Sequence, residues 1–270
     1  MTHAQFRKKI WKYWEEHGRH ELPWRKTTHP YKILVSEVML QQTQVERVIP
    51  YYKNFLKQFP NAKTLADAPL RDVLLLWQGL GYNRRAKMLH DAAKAVVTEH
   101  GGTFPSTSTE LEKLPGIGPY TAGAVAAFAY NQDGIFIETN IRTVVTHHFF
   151  RDRTEVTDTE VREVLEKVYP KGRAREWYAA LMDYGAHLKR SGVRINARAK
   201  GYTTQSAFVG SSRQVRGAIL RQLAHGPASR AKLYALFEPA RRPDIVAQLG
   251  KLQAEGMIER IGSRFFLPSD

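Results

Sequence analysis

The fold is decided by a glycine-rich stretch that lies between two helical patterns, LPGIGPYTAG at residues 114–123. Glycine permits tight turns, so the backbone N–H groups around Gly116 and Gly118 can approach a phosphate closely. A helix predicted from about Tyr120 to Ala129 adds the positive end of its dipole at the same point. The stretch therefore predicts a turn that binds a nucleic-acid backbone; an ordinary turn between two helices is the alternative.

Outward from this turn, apolar residues recur at helical spacing along most of the chain, which predicts a mostly α fold. Leu114-Pro115 before the glycines and Ala122-Gly123 after them match the helix-hairpin-helix pattern, in which small residues let two helices pack closely. Further helices are predicted near residues 159–168 and 174–189. The hairpin is therefore expected to be one element of a larger helical assembly.

The C-terminal part of the chain has a different composition. Residues 191–212 are predicted to form a basic linker because they are polar and show little periodicity; an ordered loop is the alternative. Three helical patterns follow, and then a β-hairpin around Gly262-Ser263. This order resembles a winged-helix domain over residues 213–270. A helical dimerisation or packing domain is the alternative.

The charge of the chain is strongly positive. The sequence has 41 Lys and Arg residues against 26 Asp and Glu, a formal net charge of +15. Twelve basic residues and one acidic residue lie between Ala186 and Arg242. Such an excess suits a phosphate backbone, where released counterions drive binding. Charge alone does not separate DNA from RNA, and a basic surface without a ligand is the alternative.

The sequence contains no cysteine. Disulfides, thiolate zinc sites, cysteine nucleophiles and cysteine-ligated iron–sulfur clusters are therefore excluded. The N-terminus lacks the apolar core of a signal peptide, and no apolar run reaches the roughly 18 residues of a membrane span. The expectation is a cytoplasmic protein, associated with the nucleoid if bacterial, that acts as a monomer without a membrane, metal or cofactor.

Three further motifs precede the hairpin, and together they suggest a family. They are Leu22–Arg25, Ser36–Val45 and Gly79–Tyr82. In this order and spacing they resemble the helix-hairpin-helix base-excision DNA glycosylases, over roughly residues 5–190. The most similar branch is the MutY adenine glycosylases, which remove adenine mispaired with 8-oxoguanine. The thymine-mismatch branch of the same superfamily is the nearest competitor.

The resemblance assigns catalytic roles to Glu37, Tyr120, Glu138 and Asn140. Glu37 matches the glutamate that protonates adenine at N7 and later helps to place the water; this requires a carboxyl with a raised pKa. An acid at this apolar position needs a reason, although a surface glutamate is the alternative. Tyr120 stands where strand-cutting members carry a Schiff-base lysine, so the resemblance implies an enzyme that leaves the abasic site intact. A tyrosine that only packs on the second helix of the hairpin is the alternative.

Glu138 departs from the family pattern, which has an aspartate there, followed two residues later by Asn140. That aspartate stabilises positive charge that develops at C1′ of the sugar. Glutamate keeps the charge but extends it by one bond, which changes the geometry of the site. A carboxylate that only favours the start of a helix is the alternative.

The resemblance also implies a base pocket and a duplex wedge. Trp24 and Arg25 match residues that line the pocket, Gln41 and Gln42 match residues that fill the space around the extruded base, and Tyr82 matches an aromatic that enters the stack. Packing in the core is the alternative for Trp24 and Tyr82. The residues expected to bind the DNA backbone are Gly116, Gly118 and Thr121 in the hairpin and Lys189, Arg190, Arg194, Arg198 and Lys200 in a basic loop.

Two further departures concern the end of the family domain. Many relatives carry four cysteines after the last helix, which bind an iron–sulfur cluster, whereas the region after Leu181–Ala186 has none. The basic loop at residues 189–200 is expected to hold DNA phosphates in its place. MutY proteins also end in a larger domain that reads 8-oxoguanine, and the shorter tail here leaves the opposite base open.

The expected fold has two helical domains with the base pocket between them. One combines residues 1–23 with 131–190 and carries Glu138; the other spans 24–130 and carries Glu37. We expect a monofunctional DNA glycosylase that acts on double-stranded DNA and removes adenine opposite 8-oxoguanine or a related lesion. The alternatives are a thymine or uracil glycosylase for mismatches with guanine and a non-catalytic protein that binds duplex DNA.

Overall fold

The structure is a computed structural model that describes residues 1–193, 195 and 207–268. It is mostly α-helical, as predicted. The helices are α1 His3–His17, α2 Pro30–Leu40, α3 Val45–Gln58, α4 Ala62–Ala66, α5 Leu70–Trp77, α6 Arg84–Glu99, α7 Ser108–Leu111, α8 Pro119–Tyr130, α9 Thr139–Phe149, α10 Asp158–Val168, α11 Ala174–Arg190, α12 Ser212–Ala224, α13 Arg230–Tyr234 and α14 Arg242–Ala254. No helix of these ranges is long and apolar enough to cross a membrane.

The described chain divides into two compact units, and their boundaries differ from those predicted. The first unit combines Met1–Glu37 with the chain from Phe104 through α11. The second combines Val38–Thr103 with residues 207–268. The predicted domain at 24–130 is therefore split, because its residues 24–37 and the glycine-rich hairpin belong to the same unit as α9 and α11. Periodicity identifies the apolar face of a helix but not the helix that covers it.

Close helix packing explains how the hairpin joins the first unit. α8 packs against α11. Gly123 on α8 lies so close to Phe136 that an added Cβ would come within 2.9 Å of the Phe136 Cβ. On α11, a Cβ at Gly185 would lie 2.4 Å from the backbone oxygen of Asn140. Glycines at both positions let the backbones approach, and this fixes the start of α9 against α11.

In the second unit, α6 packs on α4 and on α5, and Trp77 at the end of α5 is fully buried. In the described residues 207–268, α12 packs against α14, and the strands β1 (Ala228–Ser229), β2 (Glu259–Ile261) and β3 (Arg264–Phe266) form an antiparallel sheet in the order β1-β3-β2. The β2–β3 turn is Gly262-Ser263, as predicted, and Gly262 supplies a φ of 59°.

The C-terminal helices and hairpin follow the predicted order, but residues 213–268 do not separate as a domain of their own. They belong to the same compact unit as Val38–Thr103. Of the predicted linker at 191–212, Arg194 and residues 196–206 lie outside the described residues, as do Ser269 and Asp270.

Candidate active site

Glu37 lies on α2 in the core of the first unit and is only 5% exposed. Most neighbouring residues of its helix are apolar and buried, among them Ile33, Leu34 and Val38. Burial raises the pKa of Glu37 from 4.5 to about 6, while the hydrogen bond from Tyr120 and the charge of Arg25 oppose the rise. The side chain can therefore hold or release a proton near neutral pH.

Tyr120 holds this carboxyl in place. It stands in the first turn of α8, directly after Pro119, and its hydroxyl donates a 2.7 Å hydrogen bond to Oε2 of Glu37. Burial and the neighbouring carboxylates of Glu37 and Glu138 raise the pKa of Tyr120 well above its usual value. The phenol consequently stays protonated and acts as a donor, which leaves Oε1 of Glu37 for other chemistry.

Arg25 lies beside Glu37 with part of its hydrogen-bonding capacity unused. Its Nη2 is 3.7 Å from Oδ1 of Asp183, and its guanidinium stacks on the rings of Trp14 and Phe128. Within the described residues, Nε and Nη1 are buried without a hydrogen-bond partner. Buried donors of this kind usually meet a ligand or a water molecule, so Arg25 is available to bind one.

Asp183 anchors this arrangement, and sequence reasoning missed it. The side chain is 1% exposed on α11 and accepts hydrogen bonds from the backbone N, Nε and Nη2 of Arg19 at 2.8, 2.8 and 2.6 Å. An acid amid the apolar residues of α11 is the only sequence signal that could have identified it. Asp183 therefore balances the positive charges of Arg19 and Arg25 inside the unit.

Glu138 caps the N-terminus of α9. Its Oε1 accepts a 2.8 Å hydrogen bond from the backbone N–H of Ile141, and its Oε2 accepts one of 3.1 Å from Nδ2 of Asn140. Burial raises the pKa of Glu138, against hydrogen bonds from the backbone N–H groups of Asn140 and Ile141 and the charges of Lys189 and Arg142. Glu138 therefore has the alternative role as well, that of a carboxylate that favours the start of a helix.

The structure brings the catalytic candidates together in one unit. The charge of Glu138 raises the pKa of both Glu37 and Tyr120, so the carboxylates are electrostatic neighbours. This differs from the predicted placement of Glu37 and Glu138 on separate domains, because α2, up to Glu37, packs with the first unit. Trp24 is buried in the same unit, with 7% exposure.

The hairpin presents backbone rather than side chains. Gly116 and Gly118 are exposed, and Gly116 has the positive φ of 72° that the turn requires. Gly118 caps α8 without a side-chain hydrogen bond. Thr121, predicted to bind the DNA backbone, is 3% exposed and faces the core. Its side chain is therefore not presented at the surface, because the second residue of α8 after Pro119 faces inward.

The predicted basic loop is only partly described. Lys189 and Arg190 form the end of α11, whereas Arg194, Arg198 and Lys200 lie outside the described residues. Burial lowers the pKa of Lys189, and the nearby charge of Glu138 opposes this effect. Lys189 therefore neighbours Glu138 in the site, while Arg190 is exposed.

The wedge candidates Gln41, Gln42 and Tyr82 belong to the second unit. Gln42 and Tyr82 adopt left-handed backbone conformations, with φ of 54° and 48°. Such a conformation costs a non-glycine residue about 1–3 kcal/mol and persists only when its surroundings hold it. The loop that carries Gln41 and Gln42 and the loop that carries Tyr82 therefore need support from neighbouring residues.

Arg85, which sequence reasoning missed, supplies that support. Its Nη1 donates to the backbone oxygens of Val38, Met39 and Gln41 at 2.8, 3.0 and 2.5 Å. Its Nη2 bonds Oγ1 of Thr43 and the oxygens of Leu80 and Gly81. The guanidinium of Arg85 thus joins the two wedge loops, one with Gln41 and Gln42 and the other with Tyr82. In the sequence it is indistinguishable from the other basic residues at the start of α6.

The chain offers no ligands for a cysteine-bound iron–sulfur cluster, since the sequence has no cysteine. Among the described residues, no group of three or more His, Asp or Glu side chains could hold a metal ion.

Residues 35–171 match the HhH-GPD superfamily of base excision DNA repair proteins. The fold and the site thus define the class, and the chain belongs to the HhH-GPD superfamily. Within it, the chain is 35% identical over 280 residues to the adenine DNA glycosylase of Mycolicibacterium smegmatis, covering 95% of this chain and 94% of that protein.

Other relatives support the same assignment. The adenine DNA glycosylase of Buchnera aphidicola (strain Bp) is 39% identical over 187 residues, but the chain spans only 53% of that protein. A thermostable thymine-DNA glycosylase superposes with a TM-score of 0.60 at 25% identity, covering 68% of this chain and 86% of that one. An endonuclease III–DNA covalent intermediate superposes with a TM-score of 0.57 at 21% identity, covering 71% and 87%, and shows the shared fold.

Proposed function

We propose that the chain is an adenine DNA glycosylase that hydrolyses the N-glycosidic bond and leaves an abasic site in an uncut strand. The observation that carries this proposal is the buried Glu37, whose pKa is raised to about 6 and whose Oε2 is fixed by Tyr120. The relatives with this name along nearly the whole chain support adenine as the base.

The geometry supports acid catalysis by Glu37. The protonated carboxyl gives its proton to N7 of the extruded adenine, and the electrons of the C1′–N9 bond leave with the base. The resulting carboxylate then accepts a proton from the water that adds to C1′. Nε and Nη1 of Arg25 are donors for acceptor atoms of the base, because they are buried and unpaired within the described residues.

Tyr120 supports the proposal that the strand is left intact. Cleavage through a Schiff base needs an amine that attacks C1′, and a phenol held as a donor to Glu37 cannot provide one. The reaction also proceeds without an iron–sulfur cluster in this proposal, since the chain has no cysteine. The exposed glycines of the hairpin and the charge of +15 favour duplex DNA as the partner.

Glu138 is proposed to stabilise positive charge at C1′ while it caps α9. Replacing Glu138 with Gln removes the charge but keeps an acceptor for the N–H of Ile141. We expect the single-turnover excision rate to fall about 100-fold, because a preorganised charge at the reacting centre is lost. Quench-flow or gel-based measurement under enzyme excess gives this rate.

The matched variant Glu138→Asp keeps the charge and forms a good helix cap. It is expected to lose less activity than Glu138→Gln and to unfold at the same temperature. If Glu138→Gln excises adenine at the parental rate, the carboxylate serves α9 alone and has no catalytic role.

The pH dependence of excision follows from the pKa of Glu37. Because the proton donor must be protonated, the single-turnover rate is expected to be highest below pH 6 and to fall about tenfold per pH unit well above it. The rate is measured from acid to alkaline pH under enzyme excess, with circular dichroism at each pH as the control for folding. A rate that climbs as pH increases through 6 contradicts the acid role.

A second candidate function is removal of thymine or uracil opposite guanine, which the likeness to the thermostable thymine-DNA glycosylase favours. The test is a panel of duplexes that carry adenine opposite 8-oxoguanine, guanine or thymine, and thymine or uracil opposite guanine. Alkali converts abasic sites into strand breaks. We expect excision of adenine, fastest opposite 8-oxoguanine. Faster excision of thymine or uracil supports the second function, and no excision from any duplex supports a non-catalytic DNA-binding protein.

A further inference from the structure

The C-terminal helix α12 contacts the candidate wedge residue Tyr82. Nη1 of Arg213, in the first turn of α12, donates a 3.0 Å hydrogen bond to the hydroxyl of Tyr82. The guanidinium carbon of Arg213 also lies 5.8 Å from the centre of the Tyr82 ring. Both residues belong to the second compact unit. One side chain of the tail therefore binds the tyrosine through its hydroxyl and its aromatic ring.

A second cation lies against the same ring. The guanidinium carbon of Arg85 is 5.4 Å from the centre of the Tyr82 ring. Arg85 reaches it from α6, while it also binds the two wedge loops, and burial lowers the pKa of Arg85 to about 10. The aromatic ring thus has attractive contacts with two guanidinium groups. Arg85 fixes the loop backbone, and Arg213 fixes the hydroxyl end of the side chain.

The backbone of Tyr82 needs such contacts. Its φ of 48° is in the left-handed region, which an aromatic residue adopts only when its surroundings determine it. Arg213 is itself held at the start of α12, where Ser211 accepts from the N–H of Gln214 and caps the helix. The packing of α12 against α14 holds this helix, and Arg213 with it, in place.

We propose that Arg213 positions Tyr82 for insertion into the duplex, so that the C-terminal segment contributes to base extrusion. This inference rests on the proposed function. A wedge residue must enter the base stack in one orientation, because extrusion costs stacking and pairing energy that only a well-placed side chain offsets. The tail supplies that orientation through Arg213. The tail thus acts in the same step as the wedge residue Tyr82 rather than in a separate step.

The test compares Arg213→Ala with Arg221→Ala on an adenine-containing duplex. Arg221 is exposed on the same helix, so its loss removes the same charge without touching Tyr82. Both variants are expected to weaken duplex binding equally. Only Arg213→Ala is expected to reduce the single-turnover excision rate at saturating enzyme, by about tenfold, the effect of one lost hydrogen bond with its ring contact. Arg213→Lys is expected to recover part of the rate.

A direct readout of extrusion is the fluorescence of 2-aminopurine placed next to the target adenine. The parent is expected to raise this fluorescence on binding, and Arg213→Ala to raise it less, whereas a merely structural role leaves the bound signal unchanged. Tyr82→Phe removes only the hydroxyl that Arg213 contacts. The double variant Arg213→Ala/Tyr82→Phe is expected to lose no more activity than Arg213→Ala alone, because the two residues act as one pair.

The outcomes separate this inference from the proposed function. If the parent excises adenine and Arg213→Ala matches Arg221→Ala in both rate and fluorescence, the positioning role is overturned. Fully additive losses in the double variant overturn it as well, even if Arg213→Ala is less stable. If the parent itself excises no base, the proposed function fails, whereas the fluorescence comparison on bound duplex still decides whether Arg213 acts through Tyr82.

Discussion

Replacing Glu37 with Gln is expected to reduce adenine excision by about 1000-fold. General acid catalysis contributes roughly 100- to 10,000-fold, and an amide cannot supply the proton. Gln retains the size of the side chain and an acceptor for the hydroxyl of Tyr120, so the geometry around Oε2 is conserved. The measurement is the single-turnover rate on a duplex with adenine opposite 8-oxoguanine.

The same variant is expected to be at least as stable as the parent. The folded protein holds the Glu37 proton up to a pKa of about 6, against the ordinary value of 4.5. The unfolded chain releases this proton first, so the stability of the parent falls as pH rises from about 4.5 to 6. Above that range the buried charge costs about 2 kcal/mol, which Gln does not incur.

The control for this result is Glu163→Gln, which removes an exposed carboxylate from α10 in the same unit. It should change neither the rate nor the unfolding temperature. Loss of activity in Glu37→Gln together with a markedly lower unfolding temperature indicates a damaged fold. Undiminished excision by Glu37→Gln rules out Glu37 as the acid.

The second large effect is expected for Asp183→Asn. Asp183 is 1% exposed and balances Arg19 and Arg25, so an amide leaves two guanidinium groups without their negative charge. Removing one partner of a buried ion pair costs about 3–5 kcal/mol, and we expect the lower end because Asn keeps one acceptor oxygen. Chemical denaturation at neutral pH measures this loss of unfolding free energy.

The pH dependence of excision should change together with the stability in Asp183→Asn. Arg25 lies beside Glu37 and lowers the pKa of its carboxyl, while Asp183 offsets part of that positive charge. Without Asp183, the pH above which excision declines is expected to shift downward. The control Glu176→Gln breaks the exposed ion pair with Arg173 on the same helix and should cost less than about 1 kcal/mol. If Asp183→Asn is as stable as Glu176→Gln, Asp183 does not anchor the site.

The parts of the site that could be predicted are those with a local signal in the sequence. Glu37 was identified because an acid interrupts an apolar helix within a recognisable motif. Gly116 marks the turn, since its φ of 72° is one that few residues other than glycine adopt. The helical periodicity likewise predicted α10 and α11 nearly to the residue.

The parts that sequence could not supply depend on contacts between distant segments. Asp183 and Arg19 meet only because α1 packs on α11. Arg85 has the sequence of a solvent-exposed basic residue, and only the folded loops show that it binds their carbonyl groups. Thr121 was predicted to bind the DNA backbone as part of the hairpin motif, whereas its side chain on α8 is directed into the core. The predicted domain boundaries differ from the two observed units for the same reason, because they depend on which distant segments pack together.

The most direct measurement of the central claim is the chemical identity of what the enzyme releases. Duplex with adenine opposite 8-oxoguanine is incubated with excess enzyme, and both the free base and the DNA strand are analysed by mass spectrometry. The proposal predicts free adenine and a full-length strand that carries one abasic site with water added at C1′. Release of no base, release of a base other than adenine, or a strand cut before alkali treatment would contradict it.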